Sequence, residues 1–364
     1  MTSRSDGGPR RRALVVGTGL IGGSIALSLR RRGWHVSGLD ADGDRLAEAV
    51  RAGVIDRAGD DLDAEIVFVA TPATAAAAEV RRLLATPGRR EDAVLTDVSG
   101  VKTAIVQEAD HPRFIGGHPM AGSEQIGLSG ADPDLFQGAL WVLTPTSATD
   151  LHAFTRLQDV VTALGADVLV LSPHDHDRLV AVVSHVPHLV AATLMNAAAL
   201  GAEQDGALLR LAAGGFRDMT RVAAGHPGIW PDICAENAAP IVRALGALIE
   251  ELTAMRDRVA GQDRQSILDV LQRASLARRN LPARSVRPDY LSELRIPVHD
   301  RPGVLAEITS LAADAGISIL NFEIAHSVEG PQGILILVVD RADAERLGRA
   351  VETKGYRWHA ENLA

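Results

Sequence analysis

Cysteine is nearly absent from this chain. Cys234 is the only one in 364 residues, so no internal disulfide and no multi-cysteine metal site can form, which fits a reducing compartment. It reads as a small buried apolar residue. Aromatic residues are also scarce, at 3%, so the cores have to be packed from alanine, leucine and valine. There is no basic excess. Acidic residues outnumber Lys and Arg by 46 to 37, and the one basic run, Arg10 to Arg12, closes a polar, glycine-rich stretch read as a disordered amino terminus over 1–10. Nucleic acid is therefore not an expected partner. The first apolar run, Ala13 to Val16, is too short for a signal-peptide core, and no later run is read as long enough to cross a bilayer. A cytoplasmic chain with no membrane partner is the expectation. No internal repeat is visible, and the length calls for two or three domains.

What is present is a rhythm. Short apolar runs at Ala13–Val16, His35–Leu39, Ile66–Ala70, Ala93–Asp97, Phe114–Gly116, Leu140–Leu143 and Asp167–Val170 alternate with helical patterns. That is the signature of βαβ units, and runs without polar alternation suit strands covered on both faces. The fold class expected is α/β, a Rossmann-type doubly wound sheet over 11–175. From 176 to 282 the apolar spacing is helical throughout, with helices expected at Arg178–Leu200, Gly206–Ala213, Asp232–Ala260 and Asp263–Arg279, and breaks at Gly214-Gly215 and His226-Pro227-Gly228. The long alanine-rich helix from Asp232 is apolar on more than one face, which suits a subunit interface or the core of an internal bundle. A linker is placed at 283–291, within the proline- and arginine-containing stretch from Asn280, and a small ferredoxin-like α+β domain at 292–364. Its expected order is β-α-β-β-α-β, ending in a strand at Tyr356–His359.

The glycine-rich loop Gly17-Thr18-Gly19-Leu20-Ile21-Gly22 follows the first strand and opens a helix. In that context GxGxxG is a dinucleotide fingerprint: Gly17 for the tight turn, Gly19 for approach of the pyrophosphate, Gly22 for helix packing, with Leu20 and Ile21 opening the helix whose amino terminus meets the phosphates. Asp40, at the end of the second strand, can accept both ribose hydroxyls and would repel a 2′-phosphate. No arginine follows it directly, Arg45 being the nearest, so NAD is favoured over NADP. Thr71-Pro72 closes the third strand run and is placed beside the adenosine half of the cofactor.

Three clusters carry candidate chemistry. His118, in Gly116-Gly117-His118-Pro119-Met120-Ala121-Gly122, sits at a carboxyl strand end, where a neutral imidazole can take a proton as hydride departs. Ser184-His185-Val186-Pro187-His188 begins the helical region, and Gly215 to Arg221 offers Arg217 and Arg221 as planar forks for an acidic substrate. His174, His176, His185 and His188 are imidazoles of the kind zinc takes, but no cysteine set or HExxH pattern accompanies them, so no metal is expected.

With these clusters in this order, the chain resembles the prephenate and arogenate dehydrogenase family of tyrosine biosynthesis over nearly its whole length. The resemblance rests on Gly17 to Ser24, His118-Pro119-Met120-Ala121-Gly122, Ser184 to His188, Gly215 to Arg221, and Pro227-Gly228-Ile229-Trp230-Pro231-Asp232-Ile233. It implies NAD-dependent oxidative decarboxylation of prephenate to 4-hydroxyphenylpyruvate, with His118 taking the ring-hydroxyl proton. It also implies that Arg221 binds the ring carboxylate, that Arg217 and His188 line the pocket, and that Trp230 reaches it from the other subunit of a homodimer. The loop Asp97-Val98-Ser99-Gly100-Val101-Lys102 has glycine where the family usually has a serine bonded near the catalytic histidine, leaving Ser99 or a water to take that role. The carboxy-terminal domain resembles an ACT module, with Arg301, Pro302, Gly303 and Val304 in its turn, Asn321 at the end of its second strand, and tyrosine as the natural effector. Arogenate is the alternative substrate, with Asp175 or Asp177 to meet its amine. A different class of reading, an NAD-binding amino-acid sensor with weak catalysis, has Gly100 as its support.

Overall fold

The computed structural model describes residues 10–122, 127–281, 291–299, 301, 303–326 and 332–362. The expected disorder of the first residues, most of the 283–291 linker and Pro302 lie outside them. The chain divides into two compact units, Met1–Arg264 and Gln265–Ala364.

The first unit is built on an eight-stranded sheet. In chain order it contains β1 (Arg12–Val16), α1 (Leu20–Arg31), β2 (His35–Leu39), α2 (Gly43–Arg51), the short β3 (Arg57–Ala58), β4 (Ile66–Val69), α3 (Ala73–Leu84), β5 (Val94–Asp97), α4 (Thr103–Ala109), β6 (Phe114–Pro119), β7 (Leu140–Thr144), α5 (Leu151–Ala163) and β8 (Asp167–Val170). The order across the sheet is β3-β2-β1-β4-β5-β6-β7-β8. Chain direction is parallel from β3 to β6, while β7 pairs antiparallel with β6 and carries β8 with it. Alternate residues of β1 divide between two cores: Ala13 and Val15 join Ile25, Phe68 and Trp141 on one face, Leu14 and Val16 join Val67, Leu95 and Ile105 on the other. This two-sided burial is why the strand runs lack polar alternation, and each fully buried leucine or isoleucine contributes roughly 1.5–3 kcal/mol. The order of strands reverses at β1 and β4, which opens the ligand crevice of a doubly wound sheet above their carboxyl ends.

The sheet runs on into helices without a break. α6 (Pro173–Val180), a π turn (Ala181–His185) and α7 (Val186–Gln204) form one path, followed by α8 (Gly214–Thr220), α9 (Trp230–Glu236) and α10 (Ala238–Ala260). Five expectations are corrected here. The first helix begins at Pro173, capped by Ser172, and is widened at the π turn just before Pro187, which has no N–H to return to Val183. Gly214-Gly215 does not break a helix but starts α8, where the first turn needs no intrahelical donors; the helix expected at Gly206–Ala213 is only a 3-10 turn at Leu209–Leu211. The helix from Asp232 is interrupted at Asn237, whose side chain is engaged elsewhere. Finally, the Pro173–Gln204 path is long and apolar enough to cross a membrane, although only 28% of its most apolar window is buried.

The second unit begins within α11 (Arg264–Arg279) and continues as β9 (Leu291–His299), α12 (Val304–Asp314), β10 (Ile319–His326), β11 (Gln332–Asp340), α13 (Arg341–Glu352) and β12 (His359–Asn362). Its antiparallel sheet has the order β10-β11-β9-β12 over a core of Leu294, Ile296, Ile308, Leu337 and Leu347. The last strand starts at His359 rather than Tyr356. Trp358 lies flat on α13 at Gly348, where a Cβ would come within 2.4 Å of the indole, so the chain pairs only beyond it.

Candidate active site

The phosphate loop joins β1 to α1. Gly17 has φ +93°, and a Cβ there would lie 2.4 Å from the Ala70 carbonyl oxygen; a Cβ on Gly22 would lie 1.8 Å from the Gly17 carbonyl oxygen. Both glycines are required by the protein's own packing. Gly19 is different, because a Cβ there would meet nothing within 4 Å. It is also the N-cap of α1 and offers no side-chain cap, so the helix presents bare N–H groups to that space. A dinucleotide pyrophosphate fits both features. We therefore expect Gly19→Ala to fold with an unchanged melting midpoint and to lose NAD affinity about tenfold or more, read by calorimetric titration; a matching loss of stability would assign Gly19 to packing instead.

Asp40 stands at the tip of β2, where its Oδ2 accepts from Thr18 N at 2.7 Å and Thr18 Oγ1 at 2.8 Å, and its Oδ1 from Asp42 N at 2.9 Å. The carboxylate thus also ties the glycine loop to the second strand, a role its position in the sequence did not reveal. Arg45, set aside as too distant, comes back to within 3.8 Å of Asp40 because Asp42 caps α2 and pairs with it. Leu20 and Ile21 form the first turn of α1, and Thr71 and Pro72 lead into α3, with Thr71 Oγ1 buried and unpartnered beside the loop.

His118 lies within β6 rather than in a turn after it, because the strand continues through pairing of His118 with Val142 and Pro119 with Trp141. Its backbone path is tight: a Cβ on Gly117 would fall 2.7 Å from the Asp97 carbonyl oxygen, so only glycine lets β6 lie this close to β5. His118 Nδ1 is 2.8 Å from His176 Nε2, and His176 Nδ1 is 2.8 Å from Asp177 Oδ1. Asp177 also accepts Lys102 N and Thr103 N, each at 2.8 Å. Below this lies a fully buried ion pair of Lys102 with Asp97, whose carboxylate also takes Ser99 N at 3.0 Å and Gly117 N at 3.2 Å. Burial lowers the Lys102 ammonium even against the pull of Asp97. Burial, reinforced by His176, Lys102 and His185 beside it, pushes His118 well below its ordinary 6.5, so the ring is neutral.

The helical region closes the other side. Asn237 donates Nδ2 to the Asp177 carbonyl at 2.8 Å and lies 3.1 Å from His185 Nδ1. His185 is pushed down to about 4, chiefly by burial. Trp230 stacks on His188 with ring centroids 3.7 Å apart and meets His185 edge-on at 6.2 Å. The expectation that Trp230 arrives from another subunit is therefore corrected: the 3-10 turn Pro227–Ile229 folds it onto α7 of its own chain. The turn Arg221–Ala224 packs on α7, and a Cβ at Gly225 would be 3.6 Å from His188, so Arg221 belongs to this neighbourhood. Arg217 instead donates to the Ala212 carbonyl at 3.2 Å, and among the described residues no hydrogen bond joins it to the histidines. Gly100 adjoins His118, a Cβ there lying 3.8 Å from Cε1 and Nε2, whereas Ser99 Oγ is buried without a partner among the described residues and does not bond His118 in place of the missing serine. Cys234 is half-buried on α9, not in a core.

Sequence reading missed Lys102, Asp97 and Asn237 as parts of the site. It named His176 only as an improbable metal ligand and Asp177 only as a partner for an amine. In the carboxy-terminal unit, Arg301 donates to Glu307 at 2.6 Å and to Tyr356 Oη at 3.0 Å, Gly303 takes φ +90° before Val304 opens α12, and Asn321 sits at a register shift in β10.

A neutral histidine at the carboxyl end of a Rossmann sheet, in a unit that also carries an uncapped glycine-loop helix, defines a dinucleotide-linked dehydrogenase. Residues 25–170 match the prephenate dehydrogenase nucleotide-binding domain, 172–273 its dimerization domain and 292–353 the ACT domain. The chain belongs to the prephenate dehydrogenase family. It is 34% identical over 356 residues to a prephenate dehydrogenase of Bacillus subtilis, covering 94% of this chain and 95% of that one. A prephenate dehydrogenase of Aquifex aeolicus, solved with hydroxyphenyl propionate and NAD+, superposes with a TM-score of 0.70 at 29% identity, covering 76% of this chain and 100% of that one. An arogenate dehydrogenase of Synechocystis superposes with a TM-score of 0.64 at 35% identity, covering 74% and 99%.

Proposed function

We propose that the chain catalyses the NAD-dependent oxidative decarboxylation of prephenate to 4-hydroxyphenylpyruvate. The observation that carries this reading is His118, held neutral at the end of β6 in a family whose members are named for this reaction. NAD, when bound at the Gly17–Gly22 loop, supplies the hydride acceptor. His118 takes the proton of the ring hydroxyl as hydride leaves the same carbon, and the resulting carbonyl lets the ring carboxylate depart as CO2 with aromatisation. Arg221, Arg217, His188 and Trp230 are assigned to the substrate, Arg221 to the ring carboxylate.

Prephenate is preferred to arogenate because the carboxylates that might greet an amine are engaged. Asp177 has both oxygens filled by backbone donors and His176, and Asp175 is half-buried, bonded to Ser172 and Arg178. Rates at 340 nm with prephenate and arogenate, each with NAD and NADP, test the assignment, and turnover of neither overturns it. The pH dependence has a definite sign. The reactive form is neutral His118, whose pKa is depressed, so kcat is expected to stay level from neutrality through pH 6.5 and to fall only at more acidic pH. A limb centred at or above 6.5 would contradict a buried base.

The enzyme is further proposed to be a cytoplasmic homodimer. Val242, Ile249 and Leu252 on α10 and Leu200 on α7 are each more than half exposed, as befits helices that match a dimerization domain. The ACT unit is proposed to bind tyrosine as a feedback effector near the Arg301–Val304 turn and Asn321.

A further inference from the structure

The hydrogen-bond chain from His118 ends on a group whose role is not open to choice. Asp177 accepts two backbone N–H groups, Lys102 N on Oδ1 and Thr103 N on Oδ2, each at 2.8 Å. Burial works against its ionisation, but the bonds from His176 and from the Thr103 and Lys102 backbone outweigh it and hold it below the usual carboxylate range. An ionised carboxylate can only accept, so the proton in the 2.8 Å contact with His176 lies on Nδ1. With that proton on Nδ1, His176 turns Nε2 toward His118 as the acceptor, and in the next 2.8 Å contact the proton lies on His118 Nδ1. This leaves His118 Nε2 as the atom with the free lone pair. Its side of the ring faces Gly100, which has no side chain of its own to compete for it.

We infer that His176 is a positioning residue that fixes His118 in the Nδ1–H tautomer and then relieves it of charge by accepting that proton. The inference rests on the proposed dehydrogenase reading. In the step, the substrate O–H bond breaks and an N–H bond forms at His118 Nε2, while hydride leaves for the nicotinamide. The His118 Nδ1–H bond then breaks and an N–H bond forms at His176 Nε2. His118 ends neutral with its proton on Nε2, and the imidazolium sits on His176 against the Asp177 carboxylate. The groups around the pair favour that location. Lys102, before α4, and His185, in the π turn, act on His118 together with burial to oppose a charge there, while Asp177 on α6 contacts His176 directly.

His176→Gln separates this role from simple packing. Glutamine can still accept from His118 and donate to Asp177, but it cannot take a proton. We expect kcat to fall on the order of 10- to 100-fold, the scale seen when the group orienting a functional imidazole is changed, with KM for substrate and NAD near wild type. The acidic limb of kcat should also move to lower pH, because the cation has lost its host. Wild-type kcat with an unmoved limb would overturn the inference, and so would a fall in kcat with no movement of the limb, which is the mark of a structural role. Nitrogen-15 chemical shifts of the imidazoles in the full-length wild-type protein give a second readout that needs no substrate. They should report His118 and His176 both protonated at Nδ1 and bare at Nε2, and a His118 protonated at Nε2 in the resting protein would defeat the inference. Failure of the wild type to turn over prephenate would strike the functional reading instead, leaving the tautomer result to stand or fall separately.

Discussion

His118→Asn is expected to reduce kcat by about 10² to 10⁴, the range general-base catalysis contributes, with NAD affinity and thermal midpoint close to wild type. The choice of asparagine matters. Its amide can still donate to His176 Nε2, so the bond that now measures 2.8 Å has a replacement and the strand should keep its place. What the amide lacks is a basic lone pair, so the ring-hydroxyl proton has no acceptor while hydride is leaving. Stopped-flow and steady-state rates with saturating prephenate, beside calorimetric titration of NAD, check both halves of the claim. A rate equal to wild type would make His118 a structural residue.

The second large effect is on stability. Lys102→Met removes the cation from a pair in which both side chains are fully buried, leaving the Asp97 carboxylate with only the backbone donors of Ser99 and Gly117. Breaking a buried pair from one side typically costs about 3–5 kcal/mol, a large part of the total stability of a domain. Urea denaturation should show a loss of that size. Changing Asp97 to Asn in the same background should recover part of it, since a neutral amide no longer demands a counter-charge. A loss below about 1 kcal/mol would show that the pair contributes little to stability.

Several elements were legible because their signals are local. The run Ala13–Val16 followed by glycines identifies a strand, a turn and a phosphate-binding helix without reference to anything distant, and the structure puts those elements there. His118 was legible for the same reason, as a histidine at the end of an apolar run. Its environment was not. The contact with His176 spans 58 positions and that between Asp177 and Lys102 spans 75, and nothing in the spacing of either segment announces the other. Asp177 looked available to a substrate amine because its backbone donors come from a loop on another element. Trp230 was assigned to a partner by the resemblance alone, and the local sequence did not oppose it, since the Pro227–Ile229 turn that returns it to its own α7 holds the proline and glycine of an expected break. Gly214-Gly215 misled in the opposite sense, a breaker in composition standing where a helix begins.

The interruption between α9 and α10 places two kinds of selection in opposition at a single position. Asn237 is buried, with its side chain joining the Asp177 carbonyl to His185, and it adopts φ −115° where a helical residue would let the two helices run on as one. Alanine there would favour the helix locally by up to roughly 0.7 kcal/mol. The chain keeps the poorer helix former at the point where the better one would uncouple His185 from the Asp177 carbonyl on α6. Positions 185 and 237 are therefore coupled through their side chains, while 177 enters through its backbone carbonyl, and a chain that straightened this helix would have to rebuild that support beside His118 by other means.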